Sequence, residues 1–204
     1  MAPHFKLVYF DVPGRAELTR WIFAYAGREF EDFRVNRADW PALKPKTPTG
    51  KLPYLEVDGK PSPESIAIAR FAARETGLAG KDNFESARID ALIDYLGDAQ
   101  KGLQALRTEP DEKKKAALKE EYIKVGLQPY LQGLERHLAA NNNGEGFLFG
   151  NEPTWADFAL TVFVDNPAFD TTLLDNYALL NAHHKRVHEL KAIKEWLQKH
   201  SANA

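Results

Sequence analysis

Cysteine is the residue that this chain lacks altogether, since none of its 204 residues is one. The absence excludes disulfide bonds, metal sites built on thiolates, and a redox centre of the Cys-x-x-Cys type. Any thiol chemistry that the protein performs must therefore use a sulfur atom that arrives with a ligand.

Long apolar runs and a charge excess of either sign are also missing. No apolar run approaches the roughly 18 residues of a membrane span, and residues 1–10 lack the layout of a signal peptide. The 27 basic and 29 acidic side chains give a net charge of −2, which advertises no general affinity for nucleic acid or anionic lipid. We expect a cytoplasmic protein with neither a nucleic-acid nor a membrane partner.

Up to about residue 80, short apolar strands alternate with helical segments. Strand patterns cover residues 5–10, 29–35 and 53–57, and helical periodicity covers residues 15–26 and 65–76. A short helix opening at Asp39 and a hairpin partner after Asp58-Gly59 complete the order β-α-β-α-β-β-α. The pattern predicts a compact sheet with helices on its faces.

Beyond Asp82 the strand signals stop and long amphipathic patterns follow. These predicted helices lie near 84–107, 112–140, 154–166 and 184–199. We therefore predict an α/β domain over residues 1–78, a linker over 79–83 and an all-helical domain over 84–204.

The segment before the third strand has the features of an edge that docks an extended peptide. Pro53 begins the strand, where its missing N–H costs least, and it pushes Leu52 into an extended conformation. If the Leu52–Pro53 bond is cis, the N–H and C=O of Leu52 turn away from the sheet and can pair with a ligand. The alternative is an ordinary trans proline at a strand start.

A set of motifs spread over nearly the whole chain carries a family resemblance. They are Tyr9-Phe10-Asp11, Gly14-Arg15-Ala16-Glu17, Asp39-Trp40-Pro41, Lys44, Thr49-Gly50-Lys51-Leu52-Pro53, Glu56-Val57-Asp58-Gly59, Glu64-Ser65 and Thr154-Trp155-Ala156-Asp157. In this order they resemble the cytosolic glutathione S-transferases, above all the sigma class, which includes invertebrate enzymes and the haematopoietic prostaglandin D synthases. The resemblance implies a thioredoxin-like N-terminal domain followed by an all-helical C-terminal domain.

The resemblance assigns catalysis to Tyr9 and Arg15. The phenol of Tyr9 would donate a hydrogen bond to the glutathione sulfur and stabilise the thiolate, since a free thiol has a pKa of about 8.5. Arg15 would support the thiolate or order the Tyr9 hydroxyl. A core aromatic and a surface arginine are the alternative interpretations.

Five further residues would hold the glycyl and cysteinyl parts of glutathione. Trp40 and Lys44 lie four residues apart, so both can face one side of a short helix and bind the glycyl carboxylate, with Lys51 assisting. Leu52, fixed by Pro53, would pair its backbone with the cysteinyl unit. The alternative for Trp40 and Lys44 is an exposed pair with the lysine stem over the ring.

Glu64 and Ser65 would bind the γ-glutamyl end. Ser65 stands at a predicted helix start, which suits an anion such as the γ-glutamyl carboxylate, although it could merely cap the helix. Glu64 departs from the glutamine usual in the sigma class. An ionised glutamate cannot donate to a carboxylate, but it can pair with the ligand's ammonium. The alternative for Glu64 is an acid that favours the first helical turn.

Asp98 follows Asp90 and Asp94 at a spacing of four, which places three carboxylates on one helix face. By resemblance, Asp98 would reach across a two-fold axis to the γ-glutamyl ammonium of the neighbouring subunit, which makes a homodimer necessary. Prostaglandin D synthases of this class bind a divalent cation with acids in this region, but Gly97 interrupts the acid pair. A solvated acidic face is the alternative, and we assign no metal ligand and no cofactor besides glutathione as cosubstrate.

Two remaining patterns concern the helical domain. Thr154 to Asp157 matches a capping box, which nucleates a helix rather than performing chemistry. The six histidines show no paired ligand spacing, so we interpret them as non-ligands.

The resemblance therefore implies a glutathione S-transferase that conjugates small electrophiles, with organic peroxides as further candidate substrates. By resemblance, its second pocket is apolar and formed by Val12, Pro13, residues 100–106 and the C-terminal residues. Two alternatives stay open. One is a non-catalytic crystallin-like or apolar-ligand-binding protein. The other is a prostaglandin D isomerase, although no tryptophan occurs around residues 103–106.

Overall fold

The computed structural model describes residues 3–200, with the side chains of residues 102–105 and 107 left aside. The chain forms two compact units. The first runs through Ala79 and also includes the segment from Glu189, and the second is Gly80–His188. The domain boundaries given above stay a prediction. The two units differ from them because the last helix belongs to the first unit.

The first unit is built on a four-stranded sheet with the order β2-β1-β3-β4. The strands are β1 (Phe5–Phe10), β2 (Glu31–Val35), β3 (Tyr54–Val57) and β4 (Lys60–Pro63). β1 pairs with β2 in parallel and with β3 antiparallel. Both Asp58 and Gly59 have positive φ angles, 50° and 78°, as the predicted tight hairpin between β3 and β4 requires.

Within residues 3–200, four α-helices accompany this sheet in the first unit. They are α1 (Glu17–Tyr25), α2 (Trp40–Leu43), α3 (Ser65–Glu75) and, near the end of the chain, α9 (Lys191–His200). The buried Glu17 carboxylate joins α1 to α9, because its Oε1 accepts hydrogen bonds from the indoles of Trp21 and Trp196, both at 2.9 Å.

Arg20 is a fully buried cation on α1, with 0% of its side chain exposed. Its Nε donates to Asp32 at 3.0 Å, and its Nη1 donates to Glu17 at 3.1 Å and to the Val12 carbonyl at 2.8 Å. A buried charge is tolerated only when it is paired and hydrogen-bonded. Arg20 therefore fixes the loop after β1 against both α1 and β2.

The second unit is helical throughout its regular structure. Its helices are α4 (Asn83–Thr108), α5 (Glu112–Glu121), α6 (Gln128–Ala140), α7 (Trp155–Val164) and α8 (Ala178–His188). None of the helices within residues 3–200 is long and apolar enough to cross a membrane.

Two predicted helices differ from the structure. The segment 112–140 is interrupted by a π-helix at Tyr122–Leu127. The prediction of a single helix over 184–199 was wrong. Two helices cover this region, since α8 begins at Ala178 and ends at His188 and α9 begins at Lys191. Residues 189–190, between the two helices, are neither proline nor glycine. The helical spacing of apolar residues therefore continues across the interruption, and no helix-breaking residue marks it.

The predicted capping box at the start of α7 is confirmed. The buried Asp157 carboxylate accepts the Thr154 N–H at 2.7 Å and the Leu148 N–H at 2.7 Å, and it pairs with His183 Nε2 at 2.8 Å. Asp157 thus satisfies the helix start and ties it to the preceding loop and to α8, which is a structural role.

Candidate functional site

Tyr9 lies half-buried near the end of β1, where its hydroxyl meets the turn that leads into α1. The backbone N–H of Arg15 donates a hydrogen bond to Tyr9 Oη at 3.2 Å. The phenol oxygen is thus an acceptor toward the protein, and its own hydrogen stays available for donation to another group. The Arg15 side chain is exposed, so the interaction with Tyr9 comes from its backbone.

Gly14 makes this close approach of Tyr9 and Arg15 sterically possible. A Cβ atom at Gly14 would lie 2.7 Å from Tyr9 Oη, which is closer than a side chain tolerates. Gly14 also has a φ of +46°, in the left-handed region that favours glycine. Gly14 belongs to one of the motifs that carry the family resemblance, but the motif alone assigned it no role.

Arg20 contacts both the Tyr9 ring and the loop that leads into the same turn. Its guanidinium carbon lies 5.9 Å from the centroid of the Tyr9 ring, and its Nη1 also donates to the Pro13 carbonyl at 3.2 Å. No motif of the sequence pointed to Arg20. A charged side chain on the otherwise buried stretch of α1, three residues after Glu17, is the signal that could have identified it.

One hydrophobic cluster brings three segments of the predicted site together. Val8, Val35 and Tyr54 form its buried centre, and three half-buried residues pack against it: Phe10, Leu43 and Leu52. Phe10 follows Tyr9, Leu43 precedes Lys44, and Leu52 precedes Pro53, so the cluster fixes the predicted catalytic strand end beside two predicted binding segments. Burial raises the pKa of the Tyr54 phenol, consistent with its place in this apolar centre.

Trp40 is the first residue of the short helix α2, and Lys44 directly follows its last. The Trp40 ring meets the Phe10 ring edge-on, with centroids 5.6 Å apart. Lys44 is exposed, and its Cε lies 3.9 Å from where a Cβ of Gly50 would be. The buried Thr47 holds the turn after α2, because its Oγ1 donates to the Lys44 carbonyl at 2.8 Å. Thr47 is a further supporting residue, and no sequence motif indicated its role.

The Leu52–Pro53 peptide bond is cis, which is the first of the two alternatives that the sequence left open. Pro53 is buried, Leu52 is half-buried and Lys51 is exposed. The paired residues of β1 and β3 extend from Phe5 opposite Val57 to Val8 opposite Tyr54. Leu52 thus lies beyond the end of the ladder, at the edge where an extended ligand would pair with its backbone.

Glu64 has an unusual backbone conformation, with φ of 73° and ψ of 110° at the start of α3. A non-glycine residue in this region costs on the order of 1–3 kcal/mol, and such residues cluster at binding sites. Glu64 is exposed, and Ser65 is the first residue of the helix. The turn therefore places a free carboxylate directly before a helix N-terminus, where backbone N–H groups attract anions.

Asp98 is the one predicted site residue that lies in the second unit. It is on α4, where its carboxylate pairs with Lys101 at 2.6 Å. The side chains are 55% and 80% exposed, respectively. The hydrogen bond from Lys101 to Asp98, followed by the charge of Asp98, raises the pKa of Lys101. An exposed pair of this kind exchanges partners easily, because water screens both charges.

The other nine predicted residues lie in the first unit, in four segments: Tyr9 and Arg15, Trp40 and Lys44, Lys51 to Pro53, and Glu64 with Ser65. Most of the helical residues named for the apolar second pocket fall outside the described side chains.

The chain matches two described protein-domain families in succession. "Glutathione S-transferase, N-terminal domain" matches residues 5–74, and "Glutathione S-transferase, C-terminal domain" matches residues 97–200. Similar proteins cover nearly all of the chain. Haematopoietic prostaglandin D synthase of Homo sapiens is 37% identical over 97% of this chain and 96% of its own length. A probable glutathione S-transferase 6 of Caenorhabditis elegans is 38% identical, covering 95% of each chain.

Solved structures of similar proteins also superpose on nearly the whole chain. A Nu-class glutathione S-transferase from Haemonchus contortus superposes with a TM-score of 0.88 at 31% identity, covering 98% of each chain. A prostaglandin synthase D of Nilaparvata lugens has a TM-score of 0.85 at 33% identity, covering 97% of this chain and 98% of its own.

The geometry around Tyr9 predicts that Gly14→Ala destabilises the folded protein more than Gly27→Ala does. Both glycines have left-handed φ angles, +46° and +62°, but a Cβ at Gly27 meets nothing within 4 Å. We expect Gly14→Ala to lower the free energy of unfolding by about 1–3 kcal/mol more than Gly27→Ala, because it also overpacks the Tyr9 hydroxyl. Urea denaturation of both variants measures the difference, and equal losses would contradict it.

Proposed function

This chain belongs to the glutathione S-transferase family, and we propose that it activates the glutathione thiol with Tyr9. The chain is an enzyme of this family, a transferase that conjugates glutathione to small electrophiles. Its own residues would perform that reaction as follows. Because the chain lacks cysteine, the reactive sulfur must come with the cosubstrate.

The hydrogen bond from the Arg15 N–H to Tyr9 Oη is the observation that carries the proposal. The phenol oxygen accepts at 3.2 Å from the protein side, so the phenol hydrogen can be donated to a sulfur atom. Accepting a hydrogen bond also polarises the hydroxyl and strengthens it as a donor. A donor aimed at the sulfur favours the thiolate over the thiol and lowers the thiol pKa.

The tripeptide would lie along the edge formed by the segment before β3. Its cysteinyl backbone pairs with Leu52, and its glycyl carboxylate meets Trp40, Lys44 and Lys51. Support comes from the cluster that packs Phe10, Leu43 and Leu52 together, because it fixes the strand end of Tyr9 beside the proposed docking residues. The γ-glutamyl carboxylate meets the N-terminus at Ser65, and the ammonium meets Glu64.

In the proposed step, the bound thiolate attacks the electrophilic carbon and forms a carbon–sulfur bond. With an aryl halide, the electron pair of the broken bond leaves with the halide ion, and the thiol proton has already passed to solvent. Reactive aldehydes and organic peroxides are further electrophiles that a thiolate attacks. No other cofactor is part of the proposal.

The relatives do not favour the prostaglandin D isomerase reaction. Transferases and prostaglandin D synthases match the chain at similar identities, 38% and 37% in the two examples above. A non-catalytic crystallin-like role has no observation in its favour, since the hydroxyl of Tyr9 and its backbone donor are in place.

We further propose that the enzyme is a cytoplasmic homodimer in which Asp98 reaches the γ-glutamyl ammonium bound to the neighbouring subunit. Asp98 is exposed on α4 and paired with Lys101. Because that pair is solvent-screened, the carboxylate can exchange Lys101 for a ligand ammonium at little cost.

Replacing Tyr9 with phenylalanine removes the proposed donor to the sulfur. We expect kcat/KM for 1-chloro-2,4-dinitrobenzene at pH 6.5 to fall at least tenfold, since one pKa unit is about tenfold in thiolate. The pH profile should move toward the free-thiol pKa of about 8.5. Tyr25→Phe on α1 is the control and should retain activity. An unchanged profile for Tyr9→Phe would refute the role of the phenol.

Replacing Glu64 with glutamine tests the pairing with the ligand's ammonium. The variant loses the negative charge, so we expect the KM for glutathione to rise about fivefold, equivalent to about 1 kcal/mol. Raising ionic strength should increase the KM of the parent more than that of the variant. Glu75→Gln, at the opposite end of α3, is the control. The assignment is wrong if the two variants have the same KM.

Asp98→Asn tests the shared site. We expect this substitution to raise the KM for glutathione about threefold. Asp94→Asn, one turn earlier on α4, is the control and should leave the KM unchanged. Sedimentation equilibrium at the assay concentration should show a dimer. A monomer with full activity would contradict the shared site.

A further inference from the structure

A cluster of two histidines and one aspartate lies in the second unit, and none of its members is assigned to glutathione. His184 and His188 are four residues apart on α8, and Asp165 directly follows α7. Asp165 Oδ1 lies 2.7 Å from His184 Nε2, and Asp165 Oδ2 lies 3.1 Å from His188 Nε2. The two imidazole rings have centroids 4.6 Å apart.

We propose that Asp165, His184 and His188 form a binding site for a divalent transition-metal ion, with Zn²⁺ as its preferred occupant among common cellular cations. One ligand atom from each residue lies within 4.8 Å of the other two. Two imidazole nitrogens and a carboxylate oxygen are a ligand set that suits Zn²⁺.

The present distances are close to those that a metal requires. Zn²⁺ binds histidine nitrogen and carboxylate oxygen at about 2.0–2.2 Å, so ligand atoms at tetrahedral corners stand about 3.3–3.6 Å apart. The measured nitrogen–oxygen distances of 2.7 and 3.1 Å would widen by less than about 1 Å. The separation of the two imidazole nitrogens, at most 4.8 Å, would close to the same range.

The backbone already fixes two sides of the site. Residues four apart on a helix project from the same face, which is how helical metal sites present paired histidines. The Asp165 N–H donates to the Thr161 carbonyl at 2.9 Å, which holds Asp165 at the end of α7. A metal ion would replace hydrogen bonds between these side chains with bonds to one centre.

The donor set also selects the kind of ion. Mg²⁺ and Ca²⁺ prefer oxygen ligands, and this site offers two nitrogens and one carboxylate. The side chains of Asp165, His184 and His188 are 32%, 21% and 28% exposed, so water can fill the remaining coordination positions. All six histidines were interpreted as non-ligands, because the sequence shows no paired ligand spacing. The contacts of Asp165 with His184 and His188 join residues 19 and 23 positions apart.

A bound ion would join the end of α7 to the end of α8 and stabilise the folded second unit by mass action. The test uses protein without a histidine tag, stripped of metal with a chelator. Calorimetric titration with ZnCl₂ and thermal unfolding with and without Zn²⁺ are the measurements. We expect one Zn²⁺ per chain, a raised Tm, and no comparable effect of MgCl₂.

The variants His184→Gln and His188→Gln should each weaken Zn²⁺ binding at least tenfold and abolish the rise in Tm. His4→Gln, an exposed histidine in the first unit, should bind as the parent does. Circular dichroism of the metal-free variants verifies their fold. Absence of binding at millimolar Zn²⁺, or equal binding by the parent and both variants, would overturn the proposal. Zn²⁺ binding and Tm are measured independently of the conjugation reaction. Failure of the metal site would therefore leave the proposed role of Tyr9 unchanged.

Discussion

The pairing of the buried Arg20 guanidinium is the interaction on which the first unit depends. A cation without exposure to water must find acceptors in the protein, and Arg20 finds Glu17, Asp32 and the carbonyl groups of the loop after β1. That loop leads directly to the turn whose Arg15 N–H reaches Tyr9. The position of the phenol thus follows from an electrostatic requirement several residues away, rather than from contacts of the phenol alone.

The same network continues into the last helix through Glu17. One carboxylate oxygen serves Arg20, while the other accepts two indole N–H groups, from Trp21 and Trp196. The Trp196 ring also stacks on Phe30, with centroids 5.9 Å apart. Because a shared acceptor loses stability when any donor is removed, the segment from Glu189 is part of the structure that holds α1, and therefore of the support for Tyr9.

The sequence was most informative where a local rule determines local structure. The positions of β1, β2 and the hairpin followed from apolar patterns and from Asp58-Gly59, and the capping box at Thr154 followed from its spacing. The break between α8 and α9 could not be predicted, because residues 189–190 have ordinary helix formers. No sequence pattern predicts the supporting roles of Gly14, Arg20 and Thr47. Each role depends on the conformation of a turn, through contacts with Tyr9, the Val12 carbonyl and the Lys44 carbonyl, respectively. The contact between His184 and Asp165 was missed for a different reason, because it joins residues 19 positions apart.

The donor to the Tyr9 hydroxyl belongs to the backbone of residue 15, and this has a consequence for how the position can vary. Nineteen of the twenty amino acids present the same N–H, and only proline would remove it. The chemical identity of the side chain at that position is therefore uncoupled from orienting the phenol. A substitution there other than proline would therefore change the exposed side chain and leave the backbone hydrogen bond to the phenol in place.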